Sequence, residues 1–565
     1  MRYKKQALFV LIAVLATSIV AACGNNGPQP SAGSAGDNAG TAEVSAHTAP
    51  FKDGKYQEEV TMTAVTHLAS SVLFKDGETI QDNVHIRWAK ERLGINLKYL
   101  WATTGSSDAY ATKIRLMLAA NEPMPDIIPV RGNDALLHEL IDSGKFLDVT
   151  EWFETFASES WKKAVEEDPT VWYPLMRDGK KYALPILDYR YNSDAVMWIR
   201  EDWLKKLNLK APTTIEELEA VMEAFVKQDP DGNGKADTIG LAVALKNGMS
   251  ATMGDVSWLF GAYGKIPGIW NVADDGSLRY GSIEPTVKQG LIKLNEWMSK
   301  GYLNKEAGLL DQDAAAADFT SGKAGILFGA HWMPGWPMPD LKKNVPDSDY
   351  TVYPLPAGPG GKVGRKQTPG VNGALLISKD FKHPDAFFVY QSYLFDHFAN
   401  PPKGGEFEYG MAEGYDWIMV DGKPKPLGGG EGKIPVNKYT LMLEGARFPS
   451  LMMDTLAKLD RGEPPSTPFE TIMSEGRDPR LIKAGGIVLQ QKDAGYQDMF
   501  TGAPTKTMKS RWDFLLKTER ETFHKIIYGE LPVDEFDKFV KTWESSGGAT
   551  ITQEVNDWYK SVKEK

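Results

Sequence analysis

The feature that most limits what this chain can fold into is the alternation of two hydrophobic periods between Val60 and Phe153. In "VTMTAVTHL" (Val60 to Leu68), Val60, Met62 and Ala64 alternate with threonines, the period of a strand. "ERLGINLKYLW" ends a helix, turns at Gly94 and becomes a second strand reaching Trp101. "YATKIRLMLAANEPMPDIIPV" is a helix with Ile114, Leu116, Met117 and Leu118 on a broad apolar face. Asn121-Glu122-Pro123 stops it, and Asp126-Ile127-Ile128 opens a third strand. "ALLHELIDSGKFLDVTEWF" adds a helix with a glycine stop. Strand and helix in strict alternation predict an α/β lobe with a mainly parallel sheet. Cys23 is the single cysteine in 565 residues, so the fold is held by its core without disulfides.

The pattern continues with a turn at Asp178-Gly179 and strands at Tyr182 to Leu187 and in "AVMWIR" (Ala195 to Arg200). Trp203 to Leu207 reads as a short helix. Thr214-Ile-Glu-Glu217 is a capping box that opens an amphipathic helix with Ile215, Leu218, Met222 and Phe225 on one face. Trp198, Trp203, Trp543 and Trp558 fall among apolar neighbours and are assigned to the core. The length has room for about two or three domains.

The first residues carry a different signal. Arg2, Lys4 and Lys5 precede an uncharged run from Gln6 to Ala22, apolar from Ala7 to Ala16, which closes on small residues. That order is a secretory signal, and the run is short of the roughly 20 apolar residues of a membrane span. Val20-Ala21-Ala22-Cys23 resembles the bacterial lipobox, which implies cleavage before Cys23 and acylation of its thiol. The competing reading is an ordinary signal with an incidental cysteine. Residues 24–50 are mostly Gly, Ala, Ser, Asn, Thr and Pro, a composition that does not order itself. The expectation is a signal peptide over 1–22, a lipidated cysteine and tether over 23–56, and a body on the extracellular face of the cytoplasmic membrane.

The formal charge of −11 argues against nucleic acid as a partner, because phosphate binding needs clustered Lys and Arg. It also argues against a basic membrane-binding surface. One acidic segment stands out. "DPDGNGKADTIG" (Asp229 to Gly240) has Asp229, Asp231 and Asn233 at positions 1, 3 and 5 of a calcium loop. Gly234 takes the sharp turn, Lys235 offers its carbonyl at position 7, and Asp237 stands at position 9. Position 12 departs from the pattern, being Gly240 instead of a bidentate Glu. Structural calcium is one reading; a plain polar turn is the other.

At larger scale the order of "KIRLMLAANEPMPDII", "LIDSGKFLDVTEWF", "DGKKYALP" and "WIREDWLKKLNLKAPTTIEEL" resembles the extracellular solute-binding proteins of ABC importers. The resemblance is to their sugar-binding group, which includes maltose- and alginate-binding proteins. "GLIKLNEWMSKGYLNKE", "DFTSGKAGILFGAHWMPGW", "YPLPAGPGGK" and "GVNGALLISKDFKHPDAFFVY" continue it. "FHKIIYGELPVDEFDKFVKTWESSGGATITQEVNDWYK" is similar to the large lipoprotein branch of Gram-positive bacteria. The resemblance implies two α/β lobes of the periplasmic-binding-protein-like class II type, joined by a hinge, with helical C-terminal additions. The expected lobes are 57–187 plus about 325–385, and 188–324 plus about 386–565. It further implies a monomer that carries a solute to permease subunits, and its alginate-binding members carry a similar calcium loop.

A sugar needs paired donors and acceptors for its hydroxyls and aromatic faces for its C–H surfaces. Such groups are sought beyond the carboxyl ends of strands. His67 ends the first strand. Arg131 and Asn133, with Asp134, follow "DIIPV". Asp188, Tyr189 and Arg190 follow a strand near the expected crossover, where Arg190 could equally be a hinge salt bridge. "FGAHWMPGW" offers His331, Trp332 and Trp336, and Asn372 opens another strand. Trp258 and Tyr439 complete the candidates; for each aromatic the alternative is core. No Gly-x-Ser-x-Gly elbow, phosphate loop or His-Glu-x-x-His occurs. The sequence therefore reads as a lipid-anchored saccharide receptor, not an enzyme. The alternatives are a peptide-binding receptor and a surface glycoside hydrolase.

Overall fold

Nine strands build two separate sheets, named here in chain order: β1 Val60–Leu68, β2 Ile95–Thr104, β3 Ile127–Val130, β4 Leu184–Leu187, β5 Val196–Arg200, β6 Ile239–Ala242, β7 Ala324–Gly329, β8 Tyr350–Tyr353 and β9 Val371–Ile377. They come from a computed structural model that describes residues 46–563 apart from 70–71, 105–106, 428–431, 443 and 476. The signal-like run, Cys23 and the tether as far as residue 45 lie outside the described residues.

The first sheet has the order β2-β1-β3-β9-β4. β1 is parallel to β2 and β3, while β9 runs antiparallel to β3 and β4. Gly94 gives the chain its turn from helix to β2: it closes the helix Val84–Leu93 at φ 72°, and a Cβ there would lie 2.5 Å from the Tyr56 carbonyl. The predicted apolar face of the helix Ser107–Ala119 holds at Ile114, which is buried, but Leu116 is 64% exposed. The segment 46–56, expected to be tether, is packed instead. Tyr56 is buried and donates to Asp385 at 2.6 Å, the Thr48 amide donates to the same carboxylate at 3.0 Å, and His47 stacks on Phe51. Asp385 is itself fully buried, so these partners satisfy it and tie the chain down.

The second sheet has the order β6-β7-β5-β8 and is parallel only at β6/β7. Every residue of β5 is buried, as a strand covered on both faces requires. Met197 and Ile199 join one apolar cluster with Phe225, Trp258, Phe539 and Trp543; Val196 and Trp198 join another with Leu456 and Val488. The helices Met508–Ile527, Glu535–Trp543 and Ala549–Lys563 pack against the first of these clusters, the helical additions expected at the C-terminus. The predicted capping box is displaced by one residue. Thr214 accepts from the Glu217 amide at 3.2 Å, but the Glu217 carboxylate reaches back to the Thr213 amide at 2.7 Å.

The expected lobe division needs correction. β7 and β8, placed in the first lobe by the sequence reading, pair with β5 in the second sheet. The helix Pro384–His397, placed in the second lobe, supplies Phe387, Phe388 and Tyr390 to the core of the first, with Leu441 and Met442. Pairing partners this distant in sequence are set by which sheet has an open edge, and no local period records that.

Candidate functional site

Three passes of the chain between the two sheets lie side by side. The Asp188 amide donates to Gly370 at 2.9 Å, Tyr191 to Thr368 at 3.3 Å, and Arg190 to Pro449 at 2.8 Å. Gly370 is needed at this crossing, because a Cβ there would stand 2.8 Å from Arg190 Cγ and 3.1 Å from Pro449 Cβ. A fully buried pair braces the neighbouring turn: Arg365 donates to Asp194 at 2.7 Å, and Asp194 also accepts from the Thr368 amide at 2.7 Å.

Recesses open on both sides of this hinge. On the first lobe, a recess of about 140 Å³ lies beyond the carboxyl ends of β1 and β3, lined by His67, Tyr110, Arg131, Asn133, Lys438 and Glu444. On the second, a recess of about 320 Å³ is lined by Ser193, Thr252, Asp255, Lys366, Gln367 and Thr368. A third, of about 170 Å³, lies between the lobes. Tyr189, Lys433 and Arg447 face Phe469 and Ile472 of the helix Pro468–Ser474 across it.

The sequence candidates divide between these surfaces and the interior. His67 is half-buried and its Nδ1 lies 3.1 Å from Thr103 Oγ1. Arg131 and Asn133 share its recess, but the Asn133 side-chain oxygen caps the helix Asp134–Asp142 by accepting from the Leu136 amide at 3.0 Å. Asp188 is paired with Arg447, which also grips Glu444 and lies over the Tyr189 ring, 4.7 Å from its centroid. Asn372 donates to Asp188 at 3.4 Å. Arg190 follows its alternative reading: it meets Asp168 at 3.7 Å and the Glu167 carbonyl at 3.3 Å. Trp332 and Trp336 follow β7 and stack at 6.1 Å and 21°, with Trp332 half-buried and Trp336 52% exposed.

Three candidates are corrected. Trp258 is core, stacked on Phe328 at 4.1 Å with its indole N–H bonded to Asp255. Tyr439 is buried against Phe74, with its hydroxyl on the Leu73 carbonyl. His331 is buried, its Nδ1 has no partner among the described residues, and burial pushes its imidazole down to about 4, so it is neutral in the folded protein. The tryptophans assigned to the core bear this out: Trp198, Trp203 and Trp543 are buried, and Trp558 is partly so. Sequence reasoning missed Arg447, Glu444, Lys366, Gln367, Thr368 and Asp255. The run "RKQTPG" (Arg365 to Gly370), polar and closing on Pro-Gly before β9, was the available signal for the second crossing. Burial pushes the Asp255 carboxyl up to about 6, against hydrogen bonds from Ser257 at 2.7 Å and the Ala251 amide at 3.1 Å.

The acidic loop lies apart from the hinge. Asp229 accepts the amides of Gly232, Asn233 and Gly234, and is held low first by its hydrogen bond with Asp231, whose own carboxyl burial pushes up. The Asn233 amide bridges Asp231 at 2.7 Å and Asp237 at 3.1 Å. Asp229 and Asp231 are neighbouring carboxylates of the kind a hard cation takes, but Asn233 turns its Nδ2 to Asp231 and Asp237 while its Oδ1 accepts from the Lys235 amide at 2.7 Å. The fit is partial, since among the described residues no three acidic, His or Cys side chains converge on one point. The missing twelfth ligand has a steric cause: a Cβ on Gly240, inside β6, would lie 2.7 Å from Met222 Cβ. Thr238 is occupied too, donating to the Phe225 carbonyl at 2.8 Å.

Among the described residues no helix is long and apolar enough to cross a membrane. Over residues 72–424 the sequence matches the family described as bacterial extracellular solute-binding protein. It is 25% identical over 461 residues to the polygalacturonan/rhamnogalacturonan-binding protein YtcQ of Bacillus subtilis (strain 168), covering 80% of this chain and 83% of that one. Among solved structures, the fold is similar to an HMO-binding, ABC-transporter-associated solute-binding protein of Bifidobacterium longum infantis, with TM-score 0.64, 18% identity, 90% of this chain and 100% of that one. It is similar also to the alginate-binding protein AlgQ2 without calcium ion, with TM-score 0.60, 17% identity, 90% of this chain and 100% of that one. A hinge of three adjacent crossings, two α/β lobes and a family match across most of both lobes lead to one conclusion: the chain belongs to the bacterial extracellular solute-binding protein family.

Proposed function

We propose that this protein captures an oligosaccharide between its lobes and delivers it to the permease of an ABC transporter. The observation that carries the reading is the set of recesses on both sides of the hinge, each with polar groups among its apolar lining, with the stacked, half-exposed Trp332 and Trp336 on the loop after β7. Hydroxyl-bonding groups on each lobe and an aromatic face are what a sugar requires. His67, Arg131, Tyr189 and Asn372 would serve it from the first lobe and hinge. A ligand that touches both lobes stabilises the closed arrangement, and the permease reads that arrangement. The chain acts by binding and release, without turnover.

The anchor belongs to the same reading. Acylation of Cys23 holds the protein at the extracellular face of the membrane, and the segment up to residue 45 serves as its leash. Calcium, held by Asp229, Asp231, Asn233, Asp237 and the Lys235 carbonyl, would rigidify the loop that leads into β6 without entering the cleft.

Isothermal calorimetry of the mature protein against a panel of neutral and acidic oligosaccharides, with peptides as the contrast, tests the function. Saturable binding of at least one oligosaccharide, weakened in Trp336→Ala, is expected. Binding of peptides and no sugar, or hydrolysis of a bound glycan, would overturn it.

A further inference from the structure

We propose that the oligosaccharide is anionic, its acidic groups taken by Arg131, Arg477 and Arg520 with Lys366 and Lys433. This rests on the cleft being the saccharide site and specifies its chemistry. Among the described residues Arg131, Arg477, Arg511 and Arg520 have no carboxylate within salt-bridge distance, whereas every other described arginine has one. Two of the four line recesses. Arg131 lines the first-lobe recess. Arg520 lines a further recess of about 220 Å³, which adjoins the second-lobe one through Ser250 and Lys366. Arg477 stands close enough to Lys433 and Tyr189 of the interlobe recess to act on both electrostatically.

The acids in these recesses are already engaged. Glu444 is held by Arg447. Asp416 accepts the amides of Met411 and Ala412 at 2.8 and 2.9 Å, and Glu519 accepts the hydroxyls of Tyr280 and Ser282 at 2.9 and 2.7 Å. Burial pushes Glu519 up to about 7, which further weakens negative charge beside Arg520. Two of the four unpaired arginines, Arg131 and Arg520, thus lie in concave ground, where low-dielectric walls focus their field. Lys433 and Arg477 come from opposite lobes and repel one another, and an anion between them turns that repulsion into attraction from both sides. Guanidinium groups suit planar carboxylates, which they bind through two parallel hydrogen bonds. A sulfate ester offers the same charge in a different shape.

The test compares a short oligogalacturonide as its free acid with the fully methyl-esterified form, which keeps the sugar and removes the charge; a sulfated neutral oligosaccharide is the third arm. The free acid should bind about tenfold or more tightly than the ester, the loss of one charged contact. Its affinity should fall with added salt, and Arg131→Gln or Arg520→Gln should shrink the difference. Arg511→Gln, whose side chain lines none of these recesses, should leave it unchanged. Stronger binding of the sulfated arm keeps the anionic site and assigns it to sulfate esters. Equal affinity for acid and ester, or preference for uncharged glycans, overturns the anionic site and leaves the saccharide receptor standing. Binding of no glycan at all overturns both.

Discussion

The amide of Arg190 donates to the carbonyl of Pro449 at 2.8 Å, joining the first crossing between the lobes to the last. The second crossing lies alongside, through Thr368 and Gly370. Lobe motion must therefore bend three adjacent segments together, with Gly370 at their closest approach. Gly370→Val would press its side chain on Arg190 and Pro449. Overpacking of this kind costs about 1–3 kcal/mol. The expected outcome is a lower melting temperature, with a ligand-dependent change in radius of gyration smaller than in the parent. An unchanged melting temperature would show that the crossing has slack.

Two tryptophans predicted alike from sequence should behave oppositely. Trp258→Ala opens a cavity beside Phe328 and should destabilise the protein by about 3–5 kcal/mol. Trp336→Ala, at an exposed position, should change stability by no more than about 0.5 kcal/mol while weakening glycan binding. Denaturant unfolding and calorimetry on both variants separate the roles.

Glu519 gives a pH dependence of defined sign. Burial raises its carboxyl from an ordinary 4.5 to about 7 in the folded state. The folded state holds its proton more tightly, so stability falls as pH rises from the unfolded value to the folded one. The penalty is complete above about pH 8 and on the order of 3 kcal/mol. Glu519→Gln should therefore raise the melting temperature relative to the parent at about pH 8, with the difference fading as pH falls below the ordinary glutamate value. A difference independent of pH would show that the Glu519 carboxyl holds its proton equally in the folded and unfolded states.

Calcium should raise the melting temperature, and a chelator should reverse the effect. At about 100 times the dissociation constant the gain is near 2.7 kcal/mol. Asp229→Ala together with Asp231→Ala should abolish the response while leaving glycan affinity intact, because the loop is remote from the cleft. No calcium heat and no chelator effect would leave the segment a polar turn.

The strand-helix alternation of residues 60–153 was legible because each element buries its own period. Lobe membership was not: β7 and β8 look locally like further strands of the first lobe, and only the edge of β5 decides where they pair. The site was legible where chemistry follows strand ends, as at His67 and Arg131. It was illegible where an aromatic's fate depends on what covers it, so Trp258 and Trp336 could not be separated. Arg447 carries no local pattern at all; its role comes from Asp188 and Tyr189, brought to it by the fold.

Small-angle X-ray scattering of the mature protein with and without a saturating oligosaccharide tests the two-lobe capture most directly. The radius of gyration should fall on binding as the lobes close on the ligand, and Trp336→Ala should need more ligand for the same change. An identical scattering curve with the ligand demonstrably bound would contradict capture by closure.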